Sequence, residues 1–137
     1  METNKINVGD TYTLNFSYSQ EQVDAFAICT GDNNPIHLDK EYAAITVFKK
    51  PIMHGFLGGA VFSKIFGTLF PGNGTIYLKQ SLIFLKPMFV KEEYTAVVGV
   101  IDINRDKHRA TIMTKIINRN KEDVISGEAV ISNIEKI

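Results

Sequence analysis

The N-terminal part of the chain changes from an alternating pattern of apolar positions to a helical one. Positions 10–17 alternate between polar and apolar residues, which predicts a first β-strand. Ser19 predicts a helix N-terminus, because its hydroxyl can cap the first turn and Gln22 follows three residues later, as in a capping box. The apolar stripe of this helix consists of Val23, Phe26 and Ala27. Gly31 is expected to end it.

Two polar segments separate this helix from the next apolar stretch. The run Gly31-Asp32-Asn33-Asn34-Pro35 is dense in turn-forming residues, so we expect a loop that delivers His37 at its far end. Asp39 can cap a short helix that reaches Ala44. Residues 46–53 are then expected to form a second loop.

A long apolar helix is predicted from about Gly55 to Phe70, where Pro71-Gly72 stops it. Its apolar side chains lie on nearly every side: Phe56, Leu57, Val61, Phe62, Ile65, Phe66 and Leu69. A helix that is apolar all round is normally buried, so we expect this one at the centre of the core.

The remainder of the chain is rich in Val, Ile, Thr and Tyr, as β-strands are. We expect four strands, over residues 75–84, 93–104, 109–118 and 124–132. The predicted order is a strand, helices with loops, one buried helix and then consecutive antiparallel strands. That order predicts an α+β domain in which an antiparallel β-sheet wraps around a long central α-helix.

Composition narrows the classes of function. The 137 residues carry 15 Lys plus Arg and 15 Asp plus Glu, so the formal net charge is zero, and no basic stripe is visible. Because nucleic-acid-binding domains usually show a basic excess, we expect no nucleic-acid partner. The length and the hydrophobic content of 45% suit one globular domain over residues 1–137.

The sequence favours a cytoplasmic location. Residues 1–10 are polar and lack the apolar centre of a signal peptide. The most apolar stretch, 55–70, is interrupted by Ser63 and Lys64 and is too short to span a bilayer, so we expect no membrane association. The single cysteine, Cys29, cannot form an intrachain disulfide, which fits a reducing compartment.

Residues suited to acid–base chemistry lie in the loops before the long helix. Asp32 and His37 can both accept hydrogen bonds from one water near neutral pH, where Asp is a carboxylate and His is mostly neutral. The N–H of Gly55 lies at the predicted helix N-terminus, where unpaired N–H groups stabilise negative charge. A base, an acid and an oxyanion site are what hydration of a conjugated thioester requires. Ser63, two turns along the helix, is a further candidate.

Each of these residues also has a purely structural interpretation. Asp32 could bond backbone amides in a turn, and His37 could be a partly buried structural histidine. Gly55 could serve close packing alone, and Ser63 could bond back to a carbonyl one turn earlier. Taken singly, the structural interpretations of Asp32 and His37 are the better ones. Their occurrence at fixed spacing before a His-Gly helix start favours the chemical one.

Four segments carry a resemblance to a known family. They are Asp32-Asn33-Asn34-Pro35-Ile36-His37-Leu38-Asp39, Pro51-Ile52-Met53-His54-Gly55, Pro71 to Leu82, and Ser126-Gly127-Glu128-Ala129-Val130. Together they resemble the MaoC-like dehydratases of the hot-dog fold, in particular the monofunctional (R)-specific enoyl-CoA hydratases. The first two segments are specific as a pair, and the others support an alignment over almost the whole chain. The resemblance implies a lyase that reversibly hydrates trans-2-enoyl-CoA to (R)-3-hydroxyacyl-CoA.

The resemblance also implies roles for individual residues. Asp32 and His37 would be the catalytic pair, and Asn34 would shape their loop. The N–H of Gly55 would bind the thioester oxygen, and Ser63 would support the site. The acyl-CoA thioester would be the substrate, with no separate cofactor and no metal. The protein would form a homodimer or a dimer of dimers, in which two sheets join and the thioester enters near the subunit boundary.

Helical spacing suggests a path for the acyl tail. Gly59, Phe62 or Ser63, and Phe66 share the helix face that begins at Gly55. If Gly55 holds the thioester carbonyl, the tail runs down this face and Phe66 narrows its end. We therefore expect a preference for short acyl chains, with ordinary core packing of Phe66 as the alternative.

Other functions share parts of this pattern. A 3-hydroxyacyl-acyl-carrier-protein dehydratase of fatty-acid synthesis uses the same chemistry in reverse, so the carrier of the acyl group is left open. A thioesterase fits less well, because the spacing of Asp32 and His37 suits the hydratase. A noncatalytic acyl-CoA-binding hot-dog module would need no acid–base pair, and the intact pair argues against it.

Overall fold

The computed structural model describes residues 4–137, in which a first strand precedes the helices and the other strands of the sheet follow them. The strands are β1 (Thr11–Phe16), β2 (Ile76–Gln80), β3 (Ile83–Phe84), β4 (Tyr94–Asn104), β5 (Arg109–Ile117) and β6 (Asp123–Ser132). The helices are α1 (Gln20–Thr30), α2 (Pro35–Leu38), α3 (Lys40–Ala44) and α4 (Gly55–Lys64), and α4 continues into a π-helical turn, Ile65–Leu69.

All strand pairs are antiparallel. The order across the sheet is β1-β4-β5-β6-β2, and the short β3 also pairs with β6. The first strand of the chain therefore lies at one end of the sheet, and the strand that follows α4 lies at the other. The expected antiparallel α+β architecture is confirmed.

The core lies between α4 and one face of the sheet. In β5 every second side chain is buried, and these are Ala110, Ile112, Thr114 and Ile116. From the helix side, Val61, Phe62 and Ile65 are each at most 2% exposed. Full burial of a side chain of this size contributes roughly 1.5–3 kcal/mol. This packing fixes the position of α4 on the sheet.

The predicted helix ends are confirmed by their hydrogen bonds. Ser19 Oγ accepts from the Gln22 N–H at 3.2 Å, and the Ser19 N–H donates to Gln22 Oε1 at 2.9 Å, which completes the capping box. Gly31 ends α1 in the left-handed region at φ 80°. The Asp39 carboxylate accepts from the N–H groups of Glu41 and Tyr42, so it caps α3.

The strand predicted over 75–84 is interrupted. The register between β2 and β6 shifts at Leu78, and β2 ends at Gln80. The Ser81 carbonyl then lies so close to Gly127 of β6 that a Cβ at this glycine would overlap it. Because the chain bends across β6 here, regular pairing resumes only in β3, with Ile83 opposite Ser126.

The prediction of a helix buried on all sides is wrong. Phe56 is 69% exposed, and Ala60 and Ser63 are also exposed, because the sheet covers only the opposite face of α4. The helical path over residues 55–70 is also not uniform, since its last turn is π-helical. Within residues 4–137, no helix combines the length and the apolar character needed to cross a membrane.

Candidate active site

A short helix, rather than the end of a loop, carries His37. The Asn34 side chain accepts a hydrogen bond from the Ile36 N–H at 3.1 Å and so caps α2. Pro35 occupies the first helical position, where its missing N–H costs nothing and its fixed φ suits the helix. The turn residues after α1 thus form a bend of only a few residues, and α2 holds His37 at a defined orientation.

The His37 ring is half-buried and is held by one hydrogen bond. Its Nδ1 lies 2.8 Å from the carbonyl oxygen of Ile52. A carbonyl can only accept, so Nδ1 must carry the proton, and the neutral ring has its lone pair on Nε2. Nε2 is therefore the nitrogen that can accept a hydrogen bond from a water or a substrate.

The Asp32 carboxylate is exposed and lies beside His37. Both hydrogen bonds that Asp32 makes with the described residues use its backbone, to Thr30 Oγ1 and from His54. The ligand-type atoms of Asp32, His37 and His54 all lie within 4.8 Å of one another. One water, with hydrogen bonds of about 2.8 Å to each side, can bridge acceptors at this separation.

The surroundings of His37 favour its neutral form. Burial is the largest influence and lowers the pKa of His37 below its ordinary value of 6.5. The hydrogen bond to the Ile52 carbonyl raises it, the nearby His54 lowers it, and the Asp32 carboxylate raises it. The net direction is downward, so the Nε2 lone pair stays available at neutral pH.

His54 is the third member of this cluster, although its place in the sequence indicates only a helix start. Its Nε2 lies 2.8 Å from the Asp32 carbonyl oxygen, and its ring stacks on His37 with centroids 3.9 Å apart and planes at 29°. A ring nitrogen binds a metal in its own plane at about 2 Å. Two overlapping, nearly parallel rings do not converge on one ion at that distance, so the geometry favours hydrogen bonding over metal binding.

Gly55 lies in the same cavity as His37. The cavity has a volume of about 380 Å³, and its walls also contain Phe56, Phe84, Met88 and Ile125. The Phe84 ring packs directly against Gly55, where an added Cβ would lie 2.6 Å from a ring carbon. Glycine is therefore needed for this close approach. The Gly55 N–H opens α4, and none of the hydrogen bonds among the described residues uses it.

The other two predicted site residues lie elsewhere. Ser63 is exposed on the open face of α4. Phe66 is 1% exposed and packs edge-on against Tyr77, with ring centroids 5.4 Å apart. Tyr77 in turn lines a groove between α4 and β2, together with Phe56 and Gly59. Phe66 therefore lies one layer behind the groove.

The remaining cavity walls were not identified from the sequence. Phe84, Met88 and Ile125 come from β3, from the segment after it and from β6, far along the chain from Gly55. No local pattern links these positions. One feature of the sequence could have indicated a role for the His54 side chain. This residue lies inside the segment Pro51-Ile52-Met53-His54-Gly55, which carries part of the family resemblance.

Known proteins resemble this chain along most of its length. A family model described as "MaoC like domain" matches residues 3–122. An (R)-specific enoyl-CoA hydratase of Aeromonas caviae is 41% identical over 131 residues, which are 96% of this chain and 98% of that protein. An (R)-specific enoyl-CoA hydratase of Rhodospirillum rubrum is 36% identical over 126 residues, covering 92% and 87% of the two chains.

A solved structure supports the same relationship. It is described as an (R)-hydratase from A. caviae involved in PHA biosynthesis, and it is 40% identical to this chain. The two superpose with a TM-score of 0.91 over 96% of this chain and 99% of the other. The hot-dog fold that the resemblance implied is thereby confirmed.

The lowered pKa of His37 can be measured directly. We expect the ring protons of His37 to titrate below pH 6.5 in an NMR titration of the folded protein, because burial disfavours the imidazolium. Denatured protein, in which this burial is lost, provides the reference. A pKa of 6.5 or above in the folded protein would contradict the environment described for the ring.

Proposed function

The chain belongs to the family of MaoC-like dehydratases, and on that basis we propose that it is an (R)-specific enoyl-CoA hydratase. Such a hydro-lyase adds water across the double bond of a trans-2-enoyl-CoA and gives an (R)-3-hydroxyacyl-CoA. One observation carries the proposal. The side chains of Asp32 and His37 lie close enough together for one water to bridge them, and His37 lines the same cavity as Gly55.

In the proposed reaction these groups act one after another. A water bound between Asp32 and His37 Nε2 loses a proton to Asp32 as its oxygen forms a bond to C3 of the enoyl thioester. The C2–C3 π electrons move toward the thioester, and negative charge develops on its oxygen. The N–H of Gly55 and the partial positive charge at the start of α4 stabilise that oxygen. A proton returned by the pair to C2 completes the addition, and no net charge is gained or lost.

The acyl tail is assigned to the groove beside α4. Phe56 lines both the cavity that contains Gly55 and the groove that contains Gly59 and Tyr77, so the two spaces meet at this side chain. A thioester carbonyl at Gly55 would direct its acyl chain along this route. Phe66 packs against Tyr77 from behind the groove. Its proposed effect on acyl-chain length is therefore indirect and acts through the position of Tyr77.

We also propose a homodimer that forms through the β2 edge of the sheet. An edge strand presents unpaired backbone N–H and C=O groups, and a second strand can pair with them. Large apolar side chains are exposed at this end, namely Ile76, Leu78, Ile83 and Phe84, beside the exposed Lys79. The opposite edge, β1, exposes Thr11, Thr13 and Asn15 instead. The groove of the proposed acyl path runs along β2, so a partner subunit at this edge would cover it.

Hydration is tested with crotonyl-CoA. We expect the absorbance of the conjugated thioester to fall without release of free coenzyme A, and we expect the product to be the (R) enantiomer by chiral analysis. Release of free thiol would instead indicate a thioesterase. Binding of crotonyl-CoA without turnover would indicate a noncatalytic module, and either result would overturn the proposal.

Asp32→Asn tests the proposed base. We expect kcat to fall by roughly 100-fold or more with little change in KM, because general-base catalysis typically contributes about 10²- to 10⁴-fold. Asp24→Asn is the matched control, since Asp24 is an exposed carboxylate on α1 that binds Gln20. That variant should keep wild-type kinetics. Substantial hydration by Asp32→Asn would remove Asp32 from the mechanism.

Phe66→Ala tests the limit on acyl length. Loss of the ring behind Tyr77 should let Tyr77 relax inward, and we expect kcat/KM to rise for longer enoyl thioesters relative to crotonyl-CoA. Such a truncation also costs about 3–5 kcal/mol of stability, so Ile65→Ala, another fully buried position, serves as the control for a loosened core. An unchanged length preference in Phe66→Ala, or the same change in both variants, would count against a specific role for Phe66.

Leu78→Glu tests the dimer interface. A carboxylate on the β2 edge should prevent close apposition of two copies, and light scattering should then give the mass of one chain instead of two. Thr13→Glu places the same group on the β1 edge and should leave the dimer intact. A monomeric wild type, or a dimeric Leu78→Glu variant, would exclude this interface.

A further inference from the structure

His54 is placed to contact every part of the proposed site. It is the residue directly before α4, so the peptide bond that follows it contains the Gly55 N–H. Its side chain is 2% exposed and reaches back toward the segments that carry Asp32 and His37.

The first link is a hydrogen bond across a long separation in sequence. His54 Nε2 lies 2.8 Å from the Asp32 carbonyl oxygen, which can only accept, so Nε2 donates its proton. The Asp32 N–H is bonded locally, to Thr30 Oγ1. The hydrogen bond from His54 is therefore what ties the exposed Asp32 loop to the start of α4.

The second link is the ring stack. His54 lies against His37, at 3.9 Å between centroids, and also against Phe26 of α1, at 4.8 Å. The His54 ring thus contacts both the His37 ring and α1. The Ile52 carbonyl, two residues before His54, fixes the rotation of His37 through Nδ1.

Packing alone does not account for an imidazole at this place. The Nδ1 of His54 is buried, and none of the described residues forms a hydrogen bond with it. A buried polar atom without a partner costs on the order of 1–3 kcal/mol, a cost that an apolar ring of similar size would avoid. The feature that only the imidazole supplies is the hydrogen bond from Nε2 to the Asp32 loop.

We propose that His54 is a positioning residue, which holds the Asp32 carboxylate and the His37 ring at the separation where one water bridges them, in register with the Gly55 N–H. The inference rests on the proposed hydratase function, because the water and the thioester oxygen define the register. His54 itself transfers no proton in this scheme. Misplacement of reacting groups by about 1 Å can cost on the order of 100-fold in rate.

Two substitutions separate the hydrogen bond from the packing. His54→Gln places an amide nitrogen four bonds from Cα, as Nε2 is, so it retains the donor and loses the ring. His54→Phe retains the stacked ring and loses the donor. If His54 serves only packing, His54→Phe should be the more active of the two variants. If His54 serves positioning, His54→Gln should be the more active one.

We expect kcat for crotonyl-CoA to decrease in the order wild type, His54→Gln, His54→Phe, with a loss of roughly 10- to 100-fold in His54→Phe. KM should change much less, because the thioester still meets Gly55. The midpoint of thermal unfolding should follow the other order, with His54→Phe above His54→Gln, since Phe suits the apolar face of Phe26. Activity that follows thermal stability, or wild-type kcat in His54→Phe, would overturn the proposal.

His108→Phe provides a matched control on a distant histidine. His108 is half-buried, and its Nδ1 also forms no hydrogen bond with the residues described. His108 directly precedes Arg109, which pairs with Ser132 of β6. Phe84, which packs against Gly55, pairs with Ile125 of the same strand. The interval along β6 corresponds to roughly 24 Å at about 3.4 Å per residue. This variant should keep the wild-type kcat.

A second measurement does not depend on turnover. Hydrogen exchange followed by NMR should show faster exchange of the Asp32 and Asn33 amides in His54→Phe, and near-wild-type exchange in His54→Gln, because the donor restrains the loop. If the wild-type protein fails to hydrate enoyl thioesters, the proposed function is wrong. The amide exchange rates alone then show whether His54 restrains the Asp32 loop. Unchanged exchange in His54→Phe would overturn the positioning role whatever the activity.

Discussion

The structure depends on the burial of one face of α4 against the sheet. Val61, Phe62 and Ile65 are almost completely removed from solvent on that face, and each contributes on the order of 1.5–3 kcal/mol. A helix held along its length has a fixed N-terminus. Gly55 at that N-terminus therefore lines a defined cavity, with the Phe84 ring packed against it. The oxyanion site proposed for the enzyme is thus a product of core packing at a distance from the chemistry.

The face of α4 that the sheet does not cover connects catalysis with assembly. Phe56, Ala60 and Ser63 are exposed along it, and the groove beside it is bordered by the β2 edge. A helix end can serve a substrate only if one side of it stays accessible. The same open side leaves apolar surface that a second subunit would cover in the proposed dimer. Ser63, which the resemblance places in support of the site, lies on this shared face.

The proposed acid–base pair is placed by hydrogen bonds to backbone carbonyl groups. The Ile52 carbonyl fixes the His37 tautomer, and the Asp32 carbonyl receives the hydrogen bond from His54. Backbone carbonyls are rigid and cannot donate, so each contact assigns one proton and one orientation. The atoms proposed to catalyse hydration, the Asp32 carboxylate and His37 Nε2, form no hydrogen bond with the described residues and can bind water. Burial of the His37 ring lowers its pKa and keeps that nitrogen unprotonated near neutrality.

The sequence by itself determined the local structure and the identity of the candidate pair. The Ser19 capping box, the end of α1 at Gly31 and the Asp39 cap all form where their residues predict, because each depends on neighbours within a turn. The β-branched composition of residues 109–118 was equally informative, and β5 forms there, over Arg109–Ile117. The segment from Asp32 to His37 and the His-Gly pair before α4 indicated the chemistry.

Only the tertiary structure decided which faces are covered and which distant groups meet. The uncovered side of α4, the break between β2 and β3, the placement of Phe66 behind Tyr77 and the contact of His54 with Asp32 all involve residues far apart in the chain. The apolar character of α4 gave no way to tell a face buried by its own sheet from a face left open. Hydrophobic patterns report how readily a side chain leaves water, and they do not report which surface it meets.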